Sequence, residues 1–221
     1  MTITENLKYI TSLLPSGVKL VAVSKTKSIE EIREAYEAGQ RLFGENKVHE
    51  LFSKWQQLPK DIKWHYIGHL QTNKVKQLIP YVSLIHSVDS LKLLSTINKE
   101  AEKAGLIIPV LLEFHVAAEE SKFGLSLVEA EVMLTAAENM EMNNVRIAGV
   151  MGMATFTDDE EMIRSEFEHL KSVFNIIKSK FYQGNDQFCE ISMGMSDDFP
   201  IAVSTGSTIV RIGSKIFGTR S

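Results

Sequence analysis

Apolar residues in this chain fall in short β-branched runs, each followed by a longer stretch with helical spacing. The first run is Val18–Ser24, and Ser28 with Glu31 then forms a capping box for a helix. Arg41–Gly44 is a second, very short run, followed by a helical stretch through Trp55. Lys63–Gly68 is the third, followed by Leu70–Ile79, and Val82–Val88 is the fourth. The next helix sets Leu91, Leu94, Ile97 and Ala101 on one stripe. Ile107–Val116 is the fifth run, with Ser126 and Glu129 capping the helix after it. Val145–Met151 is the sixth, before a helix carrying Ile163, Phe167, Leu170, Phe174, Ile177 and Phe181. Phe188–Ser192 is the seventh, then a short helix near Asp197–Val203, then Thr208–Ile212 as the eighth. A further helix, about Glu5–Leu14, precedes the first run.

Strand–helix alternation implies parallel strands joined by crossover helices. Val18–Val23 and Ile107–Leu112 are nearly unbroken apolar stretches, as for strands covered on both faces. Eight such units close a barrel, so the expectation is an α/β chain, one (β/α)8 barrel domain over residues 1–221. An open doubly wound sheet is the alternative that alternation alone leaves.

Composition narrows the chemistry. The net charge is −4, so no global basic field favours nucleic acid. A single cysteine, Cys189, permits neither an intrachain disulfide nor a thiolate metal cluster, and points to a reducing, cytoplasmic setting. Met1–Asn6 lacks the basic start and apolar run of a signal peptide, and no stretch approaches the roughly 20 apolar residues of a membrane span.

In such a barrel, chemistry gathers at the carboxyl ends of the strands. Lys25 ends the first run, where partial desolvation favours the free amine that Schiff-base formation needs. Lys27 is the second candidate there, read as the more solvated of the two, and spacing does not choose between them. After the seventh run, Ser192-Met193-Gly194 leads into Ser196-Asp197-Asp198, a helix start suited to phosphate or to ordinary N-capping. Met193 and Met195 read as packing residues, and Glu119–Lys122 as a solvated loop face. Gly213-Ser214 adds a second small-residue turn, and barrels often bind phosphate with these two loops. Arg211, between Val210 and Ile212, needs an acceptor, either a carboxylate or a ligand atom. The six histidines form no H-E-x-x-H pattern, so no metal is expected, and no G-x-S-x-G, G-x-G-x-x-G or P-loop motif occurs.

Ala22-Val23-Ser24-Lys25-Thr26-Lys27 resembles the lysine motif of the pyridoxal phosphate homeostasis protein family, also called PROSC-like or YggS-type. The resemblance continues through Phe43–Asn46, Trp64–Lys74, Glu120–Gly124, Gly149–Met153, Ser192–Asp198 and Gly206–Gly218, in the family's order and over nearly the whole chain. It implies an alanine-racemase-like barrel carrying pyridoxal 5′-phosphate as a Schiff base on Lys25. By the same resemblance, Ser192 and Gly194, with Gly213 and Ser214, bind phosphate; Arg211 faces the pyridine nitrogen; and Asn46 and His69 lie near the ring. Where the family carries a Gln-Val-Asn type of sequence on the fifth strand, this chain has Glu113-Phe114-His115.

Two functions follow from the resemblance: a carrier that buffers pyridoxal phosphate and delivers it to apo enzymes, or an amino-acid racemase. Racemisation needs acid–base groups on both faces of the Cα carbanion. Alanine racemases take the second one, a tyrosine, from an extra β-domain, for which the residues after the eighth run leave no room. Tyr66 is the tyrosine nearest a carboxyl strand end, and its neighbours place it in the barrel wall. An arginine at the ring nitrogen also weakens the electron sink. The carrier is therefore the preferred expectation.

Overall fold

Each expected run forms a strand, and each strand pairs in parallel with the next. The computed structural model describes residues 2–117 and 123–218, so the Glu119–Lys122 loop and residues 120–122 of the matched segment lie outside the described residues. The strands are β1 (Lys19–Val23), β2 (Leu42–Glu45), β3 (Lys63–Tyr66), β4 (Val82–Val88), β5 (Ile108–Glu113), β6 (Val145–Met151), β7 (Glu190–Ser192) and β8 (Ile209–Ile212). They run in sequence order around a closed barrel, with β8 returning onto β1 in the register Val21↔Arg211. Closure rules out the open sheet.

The crossovers are α2 (Ile29–Glu37), α3 (Val48–Gln57), α4 (Val75–Leu78), α5 (Leu91–Ala104), α6 (Leu127–Asn139), α7 (Glu160–Phe181) and α8 (Phe199–Thr205), after an initial α1 (Ile3–Leu13) and before a one-turn α9 (Ser214–Phe217). Ser28 and Ser126 cap as expected, each with a reciprocal glutamate. Thr2 with Glu5 makes a third such box, which moves the start of α1 forward to Ile3. Two expectations need correction. The fifth ladder stops at Glu113, with Phe114 making only an isolated bridge to Leu125. The third crossover is a 3₁₀ turn at Thr72–Lys74 followed by the single turn of α4.

The strand period of two sorts side chains between two cores. Ala22, Phe43, Trp64, Ile85, Leu112, Val150 and Val210 face the helices in the large outer core. Val21, Leu84, Leu111, Ala148, Met151 and Ile209 pack as a separate cluster in the barrel interior. On the same inward faces lie polar side chains: His65, His86, Glu113, Ser192 and Arg211, each at most 6% exposed. Gly149 permits the close approach of β6 and β7: at φ +155°, a Cβ there would fall 1.8 Å from the Glu190 carbonyl oxygen. Among the described residues, no helix is long and apolar enough to cross a membrane.

Candidate functional site

The carboxyl ends of β1, β2, β7 and β8 surround a cavity of about 370 Å³, lined by Lys25, Asn46, Ser196, Arg211, Gly213 and Ser214 among others. That is a volume typical of small-molecule sites. Met153, Phe156 and Met195 form its lip, with Phe156 88% exposed. Met193, by contrast, is fully buried in the outer core, so the two methionines of this loop have separate fates.

Lys25 sits on a braced turn. The preceding carbonyl, of Ser24, accepts from Lys54 Nζ at 2.7 Å, and the following amide, of Thr26, donates to Glu50 Oε1 at 2.5 Å. Lys54 spends its other two protons on Glu45 Oε1 at 2.8 Å and Glu50 Oε1 at 2.7 Å. Ser24 Oγ also donates to Glu45 Oε1, at 2.5 Å. Thr26 is thereby held at φ +67°, a left-handed conformation that costs a threonine about 1 kcal/mol or more. Burial pushes the Glu45 carboxyl above its ordinary range against the pull of Lys54, and its Oε2 has no hydrogen-bond partner among the described residues. At Glu50 burial raises the pKa, but the bonds from Lys54 and Thr26 outweigh it and hold the carboxyl low.

Lys27 is not the solvated lysine that sequence suggested. Its Nζ donates to the Phe217 carbonyl at 3.0 Å and stands 3.2 Å from Glu31, with the side chain 15% exposed. It joins the first βα turn to the end of α9.

Arg211 is anchored from below, and its acceptors among the described residues are not carboxylates. Its Nη1 donates to the Ser192 carbonyl (2.9 Å) and to Ser192 Oγ (2.6 Å), and its Nη2 to the Gly152 carbonyl (3.1 Å). A guanidinium has five N–H groups, so two remain uncommitted among the described residues at a residue that lines the cavity. Burial lowers its pKa to about 10 against the pull of Asp198 and Glu113, which leaves it cationic at neutral pH.

Of the residues assigned by resemblance, Lys25, Asn46, Arg211, Gly213 and Ser214 meet in this cavity. Ser192 and Gly194 do not line it. Ser192 points inward on β7, fully buried, its hydroxyl taken by Arg211 and, at 3.0 Å, by His86 Nδ1. Gly194 sits at φ +94° with its carbonyl accepting from the Arg211 amide at 2.9 Å; a Cβ there would lie 2.6 Å from Ala202 Cβ. Gly194→Ala is therefore expected to cost about 1–3 kcal/mol in urea unfolding. His69 lies outside too, its ring tilted against that of Phe123, and lines a neighbouring groove with Asn46 and Tyr66. Ser196 and Asp197 do not cap α8, whose N-cap is Asp198. Ser196 Oγ instead accepts from the Gly213 amide at 3.4 Å, joining the two small-residue loops. The Tyr66 hydroxyl donates to the carbonyls of Asn46 (3.1 Å) and His69 (3.2 Å).

Glu113, the departure on β5, is buried beneath the mouth. Burial and the nearby Asp89 push its pKa to about 7, against Arg211. A carboxyl raised in the folded state binds its proton more tightly there than when unfolded. Its contribution is therefore most favourable below the ordinary carboxylate range and declines as pH climbs through about 7. Glu113→Gln is expected to flatten the stability profile between about pH 5 and 8 and to gain up to about 3 kcal/mol at the alkaline end, read by urea unfolding.

Sequence reasoning assigned no role to Glu45 or His86 and passed over Lys54. Lys54 stands four residues after Glu50 in a helix, and only that spacing hinted at a pair. His86 lies inside an apolar strand, where the alternation that turns it inward was its one signal. Among the described residues no cluster of three or more His, Cys, Asp or Glu could hold a metal.

The whole chain, residues 1–221, matches the family model described as alanine racemase, N-terminal domain. A pyridoxal phosphate homeostasis protein of Aquifex aeolicus is 40% identical over 204 residues, covering 91% of this chain and 87% of that one. The solved structure of PipY from Synechococcus elongatus, without PLP, superposes with a TM-score of 0.92 at 33% identity, covering 98% of this chain and all of PipY. The PLP-bound form of PipY gives 0.88 at 32%. Alanine racemase of Clostridium difficile, at 15% identity and a TM-score of 0.79, shares the fold. With its closed barrel, its strand-end lysine and these matches along its full length, the chain belongs to the pyridoxal phosphate homeostasis protein family.

Proposed function

We propose that this chain binds pyridoxal 5′-phosphate as a Schiff base on Lys25 and serves cytoplasmic homeostasis of the cofactor, buffering it and delivering it to apo enzymes. The observation that carries the reading is one cavity shared by a braced lysine, an arginine with uncommitted donors, and the small-residue turn Gly213-Ser214. The names of the relatives and the PLP-bound PipY structure support it. The residues fit the group. When bound, the cofactor supplies an aldehyde for an amine and a ring that can accept electrons. Lys25 offers the amine. Gly213 and Ser214, with the Ser196 hydroxyl beside them, would hold the phosphate, and the remaining N–H groups of Arg211 and the Asn46 amide would serve the ring. Ser192 and Gly194 act from behind, by fixing Arg211.

The carrier is favoured over a racemase by Tyr66, whose hydroxyl is committed to two backbone carbonyls. It is also favoured by a cationic partner for the ring nitrogen, which keeps that nitrogen unprotonated. Borohydride treatment of the loaded protein followed by peptide mass spectrometry is expected to find the reduced adduct on Lys25; an adduct on Lys27 refutes the assignment. Mixing loaded protein with an apo pyridoxal phosphate enzyme is expected to restore that enzyme's activity. Failure to transfer, with deuterium entering the Cα of an L-amino acid from solvent, would favour the racemase.

A further inference from the structure

The barrel interior holds an unbroken line of polar side chains that the binding of cofactor does not itself require. Arg211 Nη1 donates to Ser192 Oγ at 2.6 Å; Ser192 Oγ lies 3.0 Å from His86 Nδ1; His86 Nε2 lies 2.9 Å from His65 Nδ1. The four residues come from β8, β7, β4 and β3, and all face inward. His86 and Ser192 are fully buried, with His65 and Arg211 at 5% and 4% exposure.

Proton counting gives this line one direction. Arginine can only donate, so Ser192 Oγ accepts from it. The serine has one proton left, and among the described residues the other hydrogen-bond partner of its hydroxyl is His86 Nδ1, which accepts it. Full burial of His86 with no carboxylate partner excludes the imidazolium. A neutral ring accepting at Nδ1 carries its proton at Nε2, and so donates to His65 Nδ1. His65, pressed the same way by burial and by Lys19 and Lys63, is then also the Nε2–H tautomer.

We propose that His86 is a positioning residue for Arg211: acting through Ser192, it keeps the serine hydroxyl turned away from the guanidinium, so that Ser192 Oγ is a permanent acceptor and Arg211 keeps one orientation toward the bound ligand. Reversal of the serine would set O–H against N–H and release one of the three anchors. The charged groups that face this line are Glu113 and Asp198 beside Arg211, and Lys19 and Lys63 toward His65. The part of the proposal that concerns ligand rests on the pyridoxal phosphate reading; the direction of the line does not.

Two measurements test it. Two-bond ¹H–¹⁵N correlation spectra of the ligand-free wild type are expected to show His65 and His86 protonated at Nε2 and unchanged between about pH 5 and 8; a proton on Nδ1 of His86 overturns the proposal. With added pyridoxal phosphate, His86→Leu and Ser192→Ala are each expected to weaken binding about tenfold and to shift the pH profile of the bound cofactor's absorbance alike. The double variant is expected to be no worse than either single one, and His86→Gln, which can still accept from the serine, to recover most of the loss. A wild-type-like profile for His86→Leu, or additive losses in the double variant, overturns the coupling. Should His86→Leu not fold, the tautomer spectra decide. Should the wild type take up no cofactor, the pyridoxal phosphate reading fails while the tautomer result stands by itself.

Discussion

Replacing Lys25 with alanine is expected to abolish every trace of borohydride-fixable pyridoxal phosphate while leaving the barrel folded. The reasoning is local. Lys25 stands in a half-buried turn whose backbone is held on either side by Lys54 and Glu50, so these braces remain when truncation removes the amine. Surface-type substitutions of this kind alter stability by under about 1 kcal/mol. What is lost is the covalent bond. Retention of cofactor on gel filtration is expected to fall at least about tenfold, equivalent to about 1.4 kcal/mol, with phosphate and ring contacts accounting for the residue. Ligand that binds only the native state raises the melting temperature, so that rise is expected to shrink in parallel. Mass spectrometry and paired melts with and without pyridoxal phosphate read both effects. An equal adduct on another lysine would show that the braced turn is not the anchor.

Lys54→Met is expected to be the most damaging single change near the site. It strips three acceptors of one donor: the Ser24 carbonyl, Glu45 and Glu50. Glu45, at 0% exposure and already lacking a partner at Oε2, would be left as an uncompensated buried carboxylate. Breaking a buried pair from one side costs about 3–5 kcal/mol. The pH dependence has a definite sign. The folded pKa of Glu45 is already raised by burial, and removing the cation raises it further. Protonation of the folded form then relieves the penalty, so the deficit is expected to be largest at about pH 8 and to shrink toward about pH 5. Urea unfolding of parent and variant at both values reads this directly. A variant as stable as the parent at about pH 8 would refute the brace. Cofactor affinity is expected to drop with it, since Thr26 loses the support for its left-handed turn.

The barrel was legible because strand and helix periods differ so plainly, and because apolar runs such as Val18–Val23 admit no solvent face. Lys25, Gly213 and Ser214 were legible because they follow strands directly, where position alone puts a residue at the mouth. Residues inside strands were harder. Ser192 reads as part of a loop motif, yet it is the last residue of β7 and the pleat turns it inward, under Arg211 instead of toward ligand. Arg211 invited a carboxylate partner; three oxygens of Ser192 and Gly152 serve instead, two of them backbone carbonyls that no sequence pattern records. Lys27 looked solvated because, besides the nearby Glu31, it reaches a carbonyl 190 positions away that no local window records. His69 follows β3 as the motif suggests, but the turn at Gly68, packed against Asn46, carries it to the neighbouring groove.

The cavity straddles the seam where β8 meets β1, and this gives it a place in the order of folding. Lys25 follows the chain's first strand, Arg211 lies on its last, and Ser214 opens the helical turn just after it. Around them Lys27 reaches Phe217, and Asn6 donates to the Ile216 carbonyl across 210 positions. Contacts of such separation carry the largest loop-closure cost and form late. Until the seam shuts, the two halves of the pocket are on opposite ends of an open chain, and a ligand has no site to occupy. Binding energy is therefore expected to belong to the closed barrel and to be absent from the transition state that leads to it. Added pyridoxal phosphate is therefore expected to slow unfolding in urea and to leave the refolding rate unchanged, as a kinetic latch would.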